Sequence, residues 1–355
     1  MRTSCRSSSA FHRPRLEAIA MNPHPLPRVA ILATGGTIAG RAGSSLSHEY
    51  KAGSATGTEL VEAVPELARV ADVQVEQVCN IASSNMRFEV WHSLVARIDA
   101  LFSGDPDLAG IVVTHGTNTL EETAYFLNLT VRHDRPVVLV GSQRPATALS
   151  PDGPLNLVNA VRVAACPDSR GRGVLVMLND EINAARDVTK TNTYRVETFR
   201  SGDLGFLGYA DADQMAYYRR PEKRHTVDSE FAADPAGELP KVEIIYGYVE
   251  SDARVVIDAL KAAGTRGFVL TGTGAGMLSD VEKAVVRESQ QRGDGVMFVR
   301  SNRLGNGRVL PHGEHDELGI VPADNLNPQK ARILLMLALS RTHDVAEIRR
   351  IFAQY

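Results

Sequence analysis

The stretch Val29-Ala30-Ile31-Leu32-Ala33-Thr34-Gly35-Gly36-Thr37-Ile38-Ala39-Gly40 decides how the rest of the chain is read. An apolar run of strand type stops abruptly at Thr-Gly-Gly-Thr. Two adjacent glycines let the backbone turn sharply and leave its N–H groups uncovered. Thr37 then places a hydroxyl at the turn. In an open α/β sheet, ligands bind just beyond the carboxyl end of a strand. A tight βα turn with a capping Thr and no further role explains one such stretch equally well. A second stretch favours function. Leu108-Ala109-Gly110-Ile111-Val112-Val113 reads as a buried strand and ends at Thr114-His115-Gly116-Thr117-Asn118-Thr119. A helix over 120–131 follows, with Glu121 and Glu122 placed to complement its dipole. Thr117, Asn118 and Thr119 together exceed what one helix cap needs.

The same rhythm extends in both directions. The pattern predicts a helix over 58–68 broken by Pro65, a strand over 73–80, and a polar turn Ile81-Ala82-Ser83-Ser84-Asn85-Met86. A helix over 90–101 carries Trp91, Leu94, Val95 and Ile98 on one face. Strands are expected over 136–140 and 173–178, with a helix over 155–165 between them. Residues 209–240 hold no periodic element. The rhythm resumes with strands at 241–246, 267–270 and 296–300. Asn327-Pro328 reads as an N-cap and first helical residue, opening a helix over 329–339, and a last helix covers 345–352. The fold class is α/β with largely parallel sheets. Two domains are expected: 28–218, holding the candidate catalytic groups, and 241–355, joined by a linker over 219–240. Residues 1–27, rich in Ser, Arg and Pro, read as a disordered extension, with Met21 an alternative start.

The 355 residues are 43% hydrophobic, enough for a large core. The 39 basic and 42 acidic residues are well mixed, which gives a nucleic-acid or membrane-surface partner no support. No apolar run approaches the length of a membrane span. Cys5, Cys79 and Cys166 show no metal-ligand or disulfide spacing, which fits a reducing compartment.

Asp187-Val188-Thr189-Lys190-Thr191-Asn192 supplies the remaining chemistry. Lys190 is flanked by Thr rather than by charge. A Lys in a partly dry pocket loses proton affinity and can act as a base near neutrality; the alternative is a solvated loop residue. Tyr50 lies in a Gly/Ser-rich loop, 40–57, suited to close over a site. Two Thr hydroxyls, a Tyr, a Lys and uncovered backbone N–H groups suit acyl transfer, with no cofactor or metal required. Two other classes stay open. Gly35–Arg41 and Gly272-Thr273-Gly274-Ala275-Gly276-Met277 loosely match nucleotide-binding loops, but the first lacks the Lys-Ser/Thr ending and the second has Met277 at its third glycine position. A binding protein for small amides, without turnover, is the other.

These residues resemble the bacterial-type L-asparaginase (asparaginase/glutaminase) family from about residue 28 to 355. The two glycine-turn stretches, the run 187–192 and Leu326-Asn327-Pro328-Gln329-Lys330-Ala331-Arg332 match family segments in order. The resemblance implies hydrolysis of L-asparagine to aspartate and ammonia, with glutaminase side activity open. It also implies a large N-terminal and a smaller C-terminal α/β domain, and a homotetramer whose active sites are shared between subunits. Thr37 takes the nucleophile's place beside the loop Tyr50. Thr117 and Lys190 form the second pair, and Gly36 and Ser83 match substrate-binding positions. Asn118 stands where well-studied members have an Asp that holds the substrate ammonium. Ser84 replaces a frequent Gln or Glu. The acidic group from the partner subunit falls in 311–319, at Glu317 or Glu314, and Met277 occupies a polar partner position. Asp105 and His133 occupy the positions of a disulfide found in some secreted members, which favours the cytoplasm.

Overall fold

The computed structural model describes residues 25–44, 50–231 and 238–355. Its N-terminal part runs β1 (Arg28–Gly35), β2 (Arg41–Ala42), β3 (Tyr50–Lys51), α1 (Gly57–Glu62), β4 (Asp72–Ile81), α2 (Phe88–Gly104), β5 (Leu108–Thr114), α3 (Leu120–Thr130), β6 (Val137–Val140), α4 (Gly153–Ala165), β7 (Val174–Leu178), β8 (Glu181–Ala184), β9 (Thr189–Lys190), β10 (Phe199–Arg200), β11 (Gly208–Ala210) and β12 (Met215–Tyr217). Eight of these strands form one sheet in the order β12-β11-β8-β7-β6-β5-β1-β4. The five from β7 to β4 pair in parallel.

β1 is buried from Val29 onward because helices cover both faces of the sheet. Its alternate residues serve two cores. Ala30 and Leu32 join Trp91, Leu94 and Phe126 on one side, while Val29 and Ile31 join Leu157, Ala160 and Val161 on the other. The predicted helix before β4 stops at Glu62, and Pro65 opens a separate 3₁₀ turn over Pro65–Arg69.

The sheet departs from the parallel expectation beyond β7. Asn179 and Asp180 both sit in the left-handed region, at φ 53° and 63°, and reverse the chain into antiparallel β8. Two consecutive left-handed residues match the right-handed strand twist, so a two-residue hairpin forms. β11 and β12 extend this antiparallel edge.

The C-terminal part runs β13 (Val242–Tyr246), α5 (Ala253–Ala262), β14 (Gly267–Gly272), α6 (Asp280–Arg292), β15 (Met297–Asn302), α7 (Gly313–Glu317), β16 (Val321–Pro322), α8 (Pro328–Leu339) and α9 (Val345–Gln354). Its four strands pair in parallel in sequence order. Asn327 caps α8 by accepting the Lys330 N–H at 3.0 Å, with Pro328 as the first helical residue. Ile333, Leu334 and Leu337 of α8 share one core with Phe126 and Leu127 of α3, so apolar packing is continuous between the two parts. The stretch expected as a linker packs against the chain end: Phe231 is buried on the Tyr355 ring, and the Glu230 N–H donates to Tyr355 Oη. Among the described residues, no helix is long and apolar enough to cross a membrane.

Candidate active site

The site forms where β1 and β5, neighbours in the sheet with Ala33 opposite Thr114, end side by side. Gly35 and Gly36 have φ of 101° and 83°, a backbone that L side chains rarely adopt. A Cβ on Gly36 would lie 2.3 Å from the Cα of Gly116. The two turns therefore touch through glycine, and only glycine permits that approach. Thr34 Oγ1 donates to the Thr114 carbonyl at 2.7 Å, and the Gly36 N–H donates to the Ile81 carbonyl at 3.1 Å. Thr37, 4% exposed, begins a short 3₁₀ turn over Thr37–Ala39 at this junction.

The second turn meets β9. Lys190 Nζ donates to Thr117 Oγ1 at 2.8 Å and to Asn118 Oδ1 at 3.3 Å. Burial pushes the Lys190 amine below its ordinary pKa, and the nearby Glu121 carboxylate opposes that shift. The arrangement therefore eases loss of the amine proton without stripping away all counter-charge. Ser83, also buried, draws in the turn after β4: its Oγ accepts the Asn118 N–H at 3.2 Å, and its carbonyl accepts from Thr119 Oγ1 at 2.8 Å. Thr119 is the N-cap of α3 yet makes no side-chain capping bond. The polar residues of this turn point across it rather than down the helix.

Other expected residues lie elsewhere. Ser84 is exposed beside Ser83. The Tyr50 backbone pairs with Ala42 in the β2–β3 ribbon, and its side chain lies outside the described residues. Glu317 is exposed at the end of α7, and Glu314 of the same helix pairs with Lys283 at 3.1 Å. Within the described residues neither is bonded to Thr37, Thr117 or Lys190. Met277 is exposed in a turn that closes on itself through the Thr273–Met277 bridge. That closure, with α6 starting only at Asp280, gives the glycines of 272–276 no helix N-terminus at which to present a phosphate. The Gly35–Thr37 turn likewise leads into three residues of 3₁₀ helix rather than an α-helix. Asp105 pairs with Arg28 at 2.9 Å, and His133 with Asp99 at 2.9 Å.

Two groups escape a sequence reading. Glu121 looks like an ordinary first-turn acid, but its carboxylate accepts the Lys190 N–H at 3.2 Å across 69 residues of chain. His115, fully buried, has its pKa lowered to about 4 by burial and packs behind the second turn. Neither has a local pattern that announces its partner.

Two domain-family models match most of the chain. Residues 28–223 match the "Asparaginase, N-terminal" family, and residues 241–352 match the "Glutaminase/Asparaginase C-terminal domain". The chain belongs to the asparaginase family. It is similar to L-asparaginase 2 of Bacillus subtilis (strain 168), at 48% identity over 95% of this chain and 89% of the relative. Glutaminase-asparaginase of Pseudomonas fluorescens biotype A is 46% identical over 93% and 91%. Among solved structures, one described as a probable cytoplasmic L-asparaginase from Campylobacter jejuni aligns with a TM-score of 0.89 and 44% identity, covering 92% of this chain and 99% of that one. The asparaginase match thus spans both parts of the chain and every turn that contributes to the site.

Proposed function

We propose that this chain hydrolyses the side-chain amide of L-asparagine, with glutamine as a secondary substrate. The observation that carries the reading is the 2.8 Å bond from Lys190 Nζ to Thr117 Oγ1, set beside the glycine junction that brings Thr37 to the same strand ends. Thr37 Oγ attacks the amide carbon, forming an ester. The C–N bond breaks, and the nitrogen takes a proton and leaves as ammonia. Backbone N–H groups of the two turns other than those of Gly36 and Asn118, which Ile81 and Ser83 take, hold the oxyanion. Water then attacks the ester, releasing aspartate and restoring the Thr37 hydroxyl. A Thr is a weak nucleophile until something removes its proton. Tyr50 is the partner proposed for Thr37. Lys190, once neutral, takes the proton of Thr117, which passes protons to and from the reacting water. Gly36 and Ser83 line the substrate position, with Asn118 toward the substrate ammonium and Ser84 at its edge.

The finer readings rest on the family resemblance. The chain assembles as a homotetramer in which Glu317 or Glu314, with Met277, completes a neighbour's site. It works in the cytoplasm, consistent with Asp105 and His133 standing where some secreted members carry a disulfide. Light scattering and cell fractionation test these two statements directly.

The deciding measurement is ammonia release from asparagine and glutamine by the wild type and Thr37→Ala. The variant is expected to keep its fold and lose at least about a thousandfold in kcat. Substantial turnover by Thr37→Ala would remove Thr37 from the nucleophile's role. Thermal stabilisation by dinucleotides and not by aspartate would favour a nucleotide-binding protein instead.

A further inference from the structure

Glu121 is 6% exposed, and both of its carboxylate oxygens are engaged. Oε2 accepts the backbone N–H of Lys190 at 3.2 Å, and Oε1 accepts from Gln329 Nε2, on α8, at 2.6 Å. Just ahead of α8, Asn327 Nδ2 donates to Thr189 Oγ1 at 3.4 Å. Both residues of β9 are therefore gripped from outside their own strand pair, Lys190 by Glu121 of α3 and Thr189 by Asn327, the residue that caps α8. A carboxylate that only complements a helix dipole sits in solvent and needs no such partners; a buried one does.

We propose that Glu121 is a positioning residue for amide hydrolysis: it holds the strand that carries Lys190 and supplies the counter-charge to its amine, with Gln329 extending the C-terminal domain's grip into the site. This rests on the reading of Lys190 as the group that takes the Thr117 proton. Lys190 faces the uncharged Thr117 and Asn118 from the second turn and the charged Glu121 from α3. Glu121 in turn lies near Lys330 of α8 and its own neighbour Glu122, whose carboxyl is pushed up by burial and by Glu121. A negative charge keeps the amine protonated to higher pH. Removing that charge frees the amine at lower pH, so the acid limb of the kcat profile moves down.

The experiment compares kcat–pH profiles for ammonia release from asparagine. Glu121→Gln retains an acceptor for the Lys190 N–H but not the charge; its acid limb is expected to fall by about one pH unit. Gln329→Lys places a cation beside Glu121 at a half-buried helix start and is expected to move the limb the same way. Gln329→Met removes the grip and leaves the charge, so kcat falls about fivefold with KM and the limb unmoved. Lys190→Met tests the underlying reading and is expected to abolish turnover. If Lys190→Met stays active, the role given to Lys190 fails and the inference falls with it. If Lys190→Met is inactive while Glu121→Gln and Gln329→Lys keep the wild-type limb, the inference alone is overturned. Should Glu121→Gln not fold by thermal melt, Gln329→Lys decides.

Discussion

Asn118 is one of the positions where the family resemblance implies a different residue, and its setting gives an acidic replacement two separate consequences. Its Oδ1 lies 3.3 Å from Lys190 Nζ, so a carboxylate there would add negative charge beside the amine, and under the proposed function it would also face the substrate ammonium. A charge-assisted hydrogen bond is about twice as strong as a neutral one. Asn118→Asp is therefore expected to lower KM for asparagine by about tenfold. The same charge holds the proton on Lys190 to higher pH, so the acid limb of kcat shifts upward, opposite in sign to Glu121→Gln. Steady-state kinetics across pH separates the two effects, and an unchanged or raised KM would show that another group already neutralises the ammonium. At this scale the sequence is legible only where function is tied to a local turn. Gly36, Thr37, Ser83 and Thr117 stand out because glycine and hydroxyl residues end apolar runs. The pairing of Thr117 with Lys190 spans 73 residues, and a hydrogen bond across that distance leaves no local pattern.

Between elements, a buried relay fixes the second turn. His115 Nδ1 lies 2.7 Å from the Gly116 carbonyl, which can only accept, so Nδ1 carries the proton. With its pKa lowered to about 4, the ring is neutral near pH 7 and Nε2 is bare. Nε2 then accepts from Thr123 Oγ1 at 2.9 Å, and that oxygen accepts from Trp91 Nε1 at 2.8 Å. One hydroxyl thus links α2, α3 and the turn after β5. Thr123→Val keeps the shape but leaves an indole N–H and an imidazole nitrogen unpaired in the core. The expected loss is about 2–4 kcal/mol, with Thr123→Ser restoring most of it. Denaturant unfolding of the three proteins checks this, and equal midpoints for wild type and Val would dismiss the relay. The elements themselves were unevenly legible. β1, β5, β6 and β7 are continuous apolar runs buried on both faces, and such runs announce themselves. β8 is four residues with a Glu and an Asn, and β9 is two; their strand character comes from neighbours rather than propensity. Only Asn179-Asp180 signalled the reversal, as two residue types that tolerate the left-handed region.

For the molecule as a whole, the two parts are joined by a buried charge. Lys330 of α8 is 1% exposed, and its Nζ donates to the Arg186 carbonyl at 2.8 Å and to the Val188 carbonyl. Arg186 itself reaches the Tyr355 carbonyl at the end of α9 and Asp187 Oδ1 at 3.1 Å. The segment leading into β9 is thus moored to α8 and α9 together, a tie between the two parts that apolar patterning alone does not show. Burial lowers the Lys330 pKa to about 8, against 10.5 for an ordinary Lys, with Glu121 and Asp187 opposing the shift. A folded-state pKa below the unfolded value means that the unfolded chain binds more protons between pH 8 and 10.5. Unfolding free energy from this group therefore rises with pH across that window, by on the order of 3 kcal/mol in full. Below pH 8 the ammonium is retained in both states and the contribution is flat. Lys330→Met leaves two carbonyls unpaired and removes the titration. Plotted against pH, the stability of wild type minus variant is expected to stay level up to pH 8 and then climb toward pH 10.5, because ionisations elsewhere cancel in the difference. Denaturant titrations at half-unit steps would measure it, and curves that remain parallel through pH 10 would mean that Lys330 does not titrate within the fold and that its two carbonyl bonds are all it contributes.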